Sequence, residues 1–133
     1  MRWADPTEER AVHIAHHLRA EDRIEVWLSH RATGSEAVLE SWADSDICRC
    51  IETSGGEPVG LTGVCGDLIW LLGTEGLTAT RMRRLQLCIE GRRWVEYCLD
   101  RVGGPIGNDV YAKNKRSIRW LKHLGFQVEA PRP

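Results

Sequence analysis

Residues 110–126 read VYAKNKRSIRWLKHLGF, and this stretch says more about the fold than any other part of the chain. It predicts the end of a strand, a short amphipathic helix and a stop. Ile118, Leu121 and Leu124 recur every three residues, while basic side chains occupy the other faces of the helix. Gly125 ends the helix, because glycine readily adopts the left-handed conformation found at helix C-termini, and an extended segment follows.

The composition is that of a globular protein. The chain has 133 residues, of which 42% are hydrophobic and 28% charged, and we expect a single domain over residues 1–133. No apolar run approaches the roughly 18 residues that cross a bilayer. The five cysteines are an odd number, which favours a reducing compartment over a disulfide framework. We therefore expect a cytoplasmic protein with no membrane partner.

The net charge of −1 conceals a strong asymmetry along the chain. Residues 1–77 carry 6 Lys and Arg against 14 Asp and Glu, whereas residues 78–133 carry 12 against 5. Such a split favours an acidic partner for the C-terminal half. The alternative is that the two halves neutralise each other within one fold.

The first third of the chain is predicted to be helical. Asp5, followed by proline and an acidic residue, is typical of a helix N-terminus. An apolar stripe continues through Ile24, Trp27 and Leu28, which have the spacing of one helix face. Thr33 then opens a shorter helix.

The middle of the chain predicts three strands joined by tight turns, over residues 47–53, 58–65 and 68–72. These strands would form an antiparallel meander, with the apolar run 68–72 as a buried central strand. A long helix over residues 78–102 would follow. Its apolar stripe is Met82, Leu85, Ile89, Val95, Leu99 and Val102.

Residues 106–112 predict a further strand after this helix. A helical crossover returns the chain in the same direction, so this strand would lie parallel to the strand at 68–72. The expected fold class is therefore α/β, with a mixed and mostly antiparallel sheet, one parallel pair and helices on both faces.

Residues 110–126 resemble the C-terminal motif of the Gcn5-related N-acetyltransferase (GNAT) superfamily. In that motif an Asn leaves the fifth strand, a small residue follows three positions later, and Gly-Phe closes the helix. Asn114, Ser117, Gly125 and Phe126 meet each requirement. The resemblance implies a sheet whose parallel pair splays apart, acetyl-CoA as co-substrate in the wedge, and N-acetyltransferase activity on an acceptor amine.

The resemblance also implies which residues bind acetyl-CoA. The family's fourth strand pairs with pantetheine, and the N-terminus of its long helix receives the pyrophosphate, since free N–H groups and the helix dipole favour anions there. The positions that match are Leu71, Leu72, Gly73, Gly76, Thr78, Arg81, Arg83, Arg84 and Asn114. The alternative interpretation of the three arginines is a solvated helix face.

Three features depart from the family pattern. The loop before the long helix lacks the family's phosphate-binding spacing and contains Glu75. Leu121 stands where many members carry a tyrosine that acts as a general acid. Tyr111 and His123 are the nearby titratable groups, neither in the expected register, and Tyr111 is the catalytic candidate. Few residues follow Phe126, too few for the family's closing hairpin. We therefore expect an acceptor pocket that is open or completed by a second subunit in a homodimer.

A zinc site is the competing local interpretation. His13 and His17 are spaced i, i+4, and Cys48 and Cys50 share one strand face. No second cysteine pair has finger-like spacing, and small apolar core residues are the commoner role of such cysteines. We therefore expect no metal site.

A narrower resemblance is to GNAT-like proteins of tailed phages, related to the small internal virion proteins of short-tailed coliphages. It is carried by Ile69 to Thr74 and by Ser117 to Lys122. It implies an alternative function, a non-catalytic virion-associated or host-interaction protein. Such a protein would act in the host cytoplasm or be packaged in the virion, with a protein partner and no nucleic acid.

Overall fold

A computed structural model describes residues 1–131, apart from the side chains of residues 29 and 30. Four strands and five α-helices are assigned within these residues. The strands are β1 (Arg2–Ala4), β2 (Ile47–Glu52), β3 (Pro58–Cys65) and β4 (Leu68–Gly73). The helices are α1 (Glu8–His16), α2 (Ala20–His30), α3 (Gly34–Asp44), α4 (Arg81–Val102) and α5 (Lys115–His123), with a 3₁₀ turn at Glu75–Thr78 before α4.

The sheet is antiparallel throughout the described residues, with strand order β1-β2-β3-β4. The predicted meander over β2, β3 and β4 is confirmed. Its turns contain Gly56 and Gly66, whose φ angles of 88° and 63° lie in the region that side chains disfavour. However, β4 is an edge strand and not the predicted central one, and its first residue, Leu68, is 50% exposed.

The predicted parallel pair is wrong, and with it the expected GNAT-like sheet with a splayed pair. Residues 106–112 form no strand and meet β4 at one isolated parallel bridge, between Leu68 and Gly107. Asn108 then donates its side-chain amide to the Ile69 carbonyl (3.0 Å), the position that a continuing ladder would use. Gly, Asn and Asp have low strand propensity, and such side chains compete with the backbone for hydrogen bonds. The structure is an α+β fold.

Helices cover both faces of the sheet. On one face, α1 and α3 pack on residues of β2, β3 and β4 through Ile14, Val38, Cys50 and Leu61, among others. On the other face, two smaller clusters lie between the sheet and α4. Trp3 of β1 contacts both of these clusters.

The N-termini of α1, α3, α4 and α5 have side-chain caps, although not always at the expected residue, whereas α2 begins without one. Thr7, and not Asp5, caps α1 by accepting a hydrogen bond from the Arg10 amide. Thr80 caps α4 and Asn114 caps α5 in the same way. These caps satisfy N–H groups that the helices cannot satisfy internally.

The buried face of α4 differs from the predicted stripe. Leu87, Gly91, Trp94, Val95 and Cys98 are buried. The predicted residues of its first half point outward, with Met82 62%, Leu85 55% and Ile89 50% exposed. On α2 the predicted stripe is likewise largely exposed, at Ile24, Trp27 and Leu28.

Candidate functional site

One cleft of about 330 Å³ opens between the outer edge of β4, helices α2 and α4, and residues 108–126. Its mouth contains charged side chains from both sides, and its inner wall is apolar. Two stretches that lie far apart in sequence therefore form one site. A cavity of this size and character is typical of small-molecule binding.

The outer edge of β4 offers one unpaired backbone position. Ile69 and Gly73 direct their N–H and C=O groups away from β3, because Ile69 bonds Gly107 and Asn108, and Gly73 bonds residues of the α2 region. Strand alternation places the N–H and C=O of Leu71 on the same side. In the described part of the chain neither group has a partner. We call this pair the Leu71 notch.

Arg19 and Asp22 close one end of the notch. The Arg19 amide donates to the Gly73 carbonyl (2.9 Å), and the Gly73 amide donates to the Asp22 carboxylate (2.8 Å). The Arg19 guanidinium donates two hydrogen bonds to the same carboxylate, at 3.0 and 3.1 Å, and both side chains are buried. Burial raises the pKa of the Asp22 carboxyl above its usual value, and Arg19 and the Gly73 amide offset only part of that rise.

Glu25 of α2 joins the two walls at the mouth of the cleft. Its carboxylate accepts hydrogen bonds from the Tyr111 amide (3.0 Å) and from the side-chain amide of Asn114 (3.2 Å). The side-chain oxygen of Asn114 meanwhile caps α5 by accepting from the Ser117 amide. Asn114, predicted as a CoA-binding residue, thus positions the start of α5. The Tyr111 side chain is 37% exposed and does not line the cleft.

Three arginines line the mouth on its other side, Arg84 of α4 and Arg116 and Arg119 of α5. All three are exposed, and we call them the basic rim. Arg84 also donates to the Thr78 carbonyl (3.0 Å), which holds its guanidinium beside the start of α4. The first turn of α4 contains no acidic residue. The positive dipole end of α4 therefore reinforces the positive charge of Arg84, which lies in its first turn.

The inner wall of the cleft is apolar and aromatic, and we call it the inner chamber. It is formed by Trp3, Thr62, Leu71, Leu87, Trp94, Val95 and Trp120. The Thr62 hydroxyl accepts from the Trp94 indole (3.0 Å) and donates to the Trp70 carbonyl (2.6 Å). The indole N–H groups of Trp3 and Trp120 are buried without a hydrogen-bond partner among the described residues.

The cleft contains one partly accessible thiol, that of Cys88 on α4. Cys48, Cys50 and Cys98 are buried elsewhere, and burial raises their pKa values to about 12, 11 and 11. Such thiols are poor nucleophiles at neutral pH.

The two features of the zinc interpretation lie in different surroundings. The His13 and His17 rings stack 4.5 Å apart, while Cys48 and Cys50 are buried. Within residues 1–131, no group of three or more His, Cys, Asp or Glu side chains is placed to hold a metal ion.

The predicted CoA-binding residues divide into two groups. Leu71, Leu72, Thr78 and Arg84 line the cleft. The remaining positions do not, and their groups serve the fold. The Gly73 amide is bonded to Asp22, the Gly76 carbonyl accepts from Arg83 (2.9 Å), and Arg81 lies exposed at the start of α4.

Sequence reasoning missed two sets of residues at the cleft. The first is Arg116 and Arg119, whose i, i+3 spacing beside the Asn cap could have indicated a basic face toward the long helix. The second is Asp22 and Glu25, whose roles depend on contacts with residues about fifty and ninety positions away, at Gly73 and Asn114. No local signal reports such contacts.

Comparison with models of known families, with curated proteins and with solved structures finds no match to this chain. Within residues 1–131 no helix combines the length and the apolar character needed to cross a bilayer. The cleft is therefore the feature of the molecule that bears on function.

Proposed function

We propose that the protein binds an acyl-CoA thioester in this cleft and transfers the acyl group to an amine. The observation that supports this most is the Leu71 notch, an unpaired N–H and C=O on the wall of a cleft whose inner chamber is mainly apolar. Unpaired backbone groups at a sheet edge attract a partner with complementary groups. The notch thus favours a ligand that contains both a carbonyl and an amide N–H.

The narrowness of the notch favours pantetheine over a peptide. A peptide that adds a strand needs several successive pairs along the edge. Here the neighbouring positions are already occupied, by Gly107 and Asn108 on one side and by Arg19 and Asp22 on the other. One residue remains, which suits a slender linker with isolated amides.

The basic rim supports the phosphate part of the proposal. Arginine binds phosphate through charge-assisted and often bidentate hydrogen bonds. Arg84, Arg116 and Arg119 line the same cleft from two helices, and Arg84 lies in the first turn of α4. They supply positive charge that the loop at residues 73–80, with its Glu75, does not supply.

The notch would polarise the thioester, and the acidic side chains at the mouth would bind and deprotonate the amine. The Leu71 N–H would donate to the thioester carbonyl and stabilise negative charge that develops on its oxygen, while the Leu71 C=O would accept from the nearest amide N–H of pantetheine. Glu21, Asp22 and Glu25 line the cleft and would attract a protonated amine, and Glu21, whose side chain is 28% exposed, would take its extra proton. The neutral amine then forms the new C–N bond as the C–S bond breaks. The second amine proton ends on the CoA sulfur by way of solvent, since Leu121 cannot donate one.

Protection of Cys88 from alkylation tests the binding step. The Cys88 thiol lines the cleft, whereas Cys65 is similarly half-buried but lies at the end of β3 outside it, and is the matched control. Acetyl-CoA at millimolar concentration should slow iodoacetamide labelling of Cys88 several-fold and leave Cys65 unchanged, as measured by peptide mass spectrometry. Equal rates at Cys88 with and without acetyl-CoA would count against the proposal. Release of free CoA thiol with a panel of amines then tests turnover.

A second candidate function, a non-catalytic interaction protein, is favoured by the outer face of α4. Met82, Leu85 and Ile89 are exposed with the a-d-a spacing of a helix-pairing seam, and Arg81 and Arg93 flank them. This combination fits an acidic amphipathic helix of another protein.

A synthetic acidic heptad peptide tests the second candidate by fluorescence anisotropy. It should bind the wild type, and binding should fall at least tenfold in Leu85→Gln/Ile89→Gln but not in the matched control Ile24→Gln on α2. No binding by the wild type would dismiss the candidate. Sedimentation of the protein alone tests the homodimer expected from the sequence. Mass spectrometry of purified phage particles tests packaging in a virion.

A further inference from the structure

The inner chamber extends the cleft beyond what an acetyl group needs. Trp3 belongs to β1, at the far edge of the sheet from β4, and yet it lines the same cavity as Leu71 and the Trp120 ring of α5. Trp3 also contacts both apolar clusters between the sheet and α4. The chamber therefore reaches from the edge strand inward, along the line where the two clusters meet.

The polarity of the cleft changes sharply along this path. The exposed charged side chains of the cleft include the basic rim, and its buried charges, Arg19 and Asp22, are paired with each other at the end of the notch. The chamber wall, as defined above, contains no charged side chain. The Thr62 hydroxyl there is already engaged as donor and acceptor. The unpaired indole N–H groups of Trp3 and Trp120 are two single donors in a wall that is mainly apolar. A ligand group that enters the chamber is therefore favoured chiefly for its apolar surface.

We infer that the acyl group is a medium-length, unbranched alkyl chain that enters the inner chamber past Leu71. The inference rests on the proposed function, since the Leu71 notch would hold the thioester at the chamber entrance. An acetyl group adds one methyl beyond the carbonyl and leaves the aromatic wall uncovered. A longer chain covers it, and each buried methylene strengthens binding about fourfold.

Titration calorimetry with CoA, acetyl-CoA, hexanoyl-CoA and octanoyl-CoA tests the inference, with free octanoate as a control for non-specific apolar binding. We expect affinity to rise with chain length and octanoyl-CoA to bind at least tenfold more tightly than acetyl-CoA. Octanoate alone should bind far more weakly than octanoyl-CoA.

Val95 on the buried face of α4 offers a matched pair of variants, because it lines the cleft and is 7% exposed. Val95→Phe should fill space in the cleft, so that octanoyl-CoA no longer binds more tightly than acetyl-CoA, while acetyl-CoA binding persists. In Val95→Ala, octanoyl-CoA should still bind more tightly than acetyl-CoA, and decanoyl-CoA should bind more tightly again. If the larger side chain prevents folding, as circular dichroism would show, the Ala variant still decides the question.

The outcomes separate the inference from the proposed function. If no CoA species binds, both are wrong. If acetyl-CoA and octanoyl-CoA bind equally, the chain-length inference is wrong and the proposed function stands. An octanoyl gain that is the same in wild type, Val95→Phe and Val95→Ala would place the chain outside the chamber and overturn the inference.

Discussion

Asp22→Ala should be one of the most destabilising single substitutions in the chain. The Asp22 carboxylate is 4% exposed, binds Arg19 through two hydrogen bonds and accepts a third from the Gly73 amide. Its removal leaves the Arg19 guanidinium, 7% exposed, without its bidentate partner, and leaves a buried N–H unsatisfied. Breaking a buried ion pair in this way costs about 3–5 kcal/mol. That is a large fraction of the roughly 5–15 kcal/mol by which domains are stable.

Two further variants separate the charge effect from the loss of packing. Asp22→Asn retains an acceptor for the Gly73 amide and should lose less stability than Asp22→Ala. The double variant Arg19→Met/Asp22→Leu replaces both charges with apolar groups and should recover most of the loss, because an apolar pair avoids the cost of burying ions. Recovery in the double variant would show that the unpaired guanidinium causes most of the damage.

Urea denaturation monitored by tryptophan fluorescence measures these free energies of unfolding. Glu21→Ala is the matched control, since Glu21 lies next to Asp22, is 28% exposed at its side chain and approaches Arg19 only to 3.7 Å. It should change stability by less than about 1 kcal/mol. If Asp22→Ala lowers the free energy of unfolding no more than Glu21→Ala does, the buried ion pair does not stabilise this end of β4 and the reasoning is refuted.

Three further perturbations follow from the structure. Gly63→Ala should lower the free energy of unfolding by several kcal/mol in urea denaturation, because the new Cβ would lie 2.6 Å from the backbone oxygen of Ile47. Gly104→Ala is the control and should be nearly neutral, because a Cβ there would have no heavy atom within 4 Å. Glu25→Ala should speed amide hydrogen exchange at the start of α5 and cost about 1–2 kcal/mol, since two hydrogen bonds to its carboxylate are lost; unchanged exchange there would contradict this. Burial raises the pKa of Cys48 to about 12 from an ordinary value near 9, so folded protein holds this proton where unfolded protein has lost it. The free energy of unfolding should therefore fall as pH rises above 9, by up to about 1.4 kcal/mol per pH unit from this thiol. Urea denaturation at pH 8 and pH 10 should show a smaller fall in the free energy of unfolding for Cys48→Ala than for the wild type.

The parts of the fold that depend on local signals were predictable. The turns at Gly56 and Gly66 are short-range features, and they identify the meander. The cap at Asn114 and the stop at Gly125 likewise bound α5 correctly.

The orientation of α4 was not predictable from periodicity, because two stripes with helical spacing compete on this helix. Met82, Leu85 and Ile89 form one, and Leu87, Trp94 and Cys98 form the other. The second is buried because the Trp94 indole donates to Thr62, a contact across thirty-two positions. Gly91 also favours this orientation of α4, because it lets α5 approach closely. A Cβ at position 91 would lie 3.2 Å from Leu124.

The failure of the fifth strand has a similar cause. Residues 106–112 start beside β4 with one bridge, and the side chains of Asn108 and Glu25 then take the bonds that a ladder would use. The Leu71 notch is a result of this and could not be predicted from sequence. It exists because distant residues cap its neighbours and leave Leu71 alone unpaired.

The central claim is that the Leu71 notch holds the ligand, and Leu71→Pro tests it most directly. The substitution removes an N–H that faces away from β3, and edge strands tolerate proline at such positions. Titration calorimetry should show acetyl-CoA binding to the wild type and about two- to tenfold weaker binding to the folded variant, the loss expected for one hydrogen bond. Equal affinity in the two proteins would contradict the account.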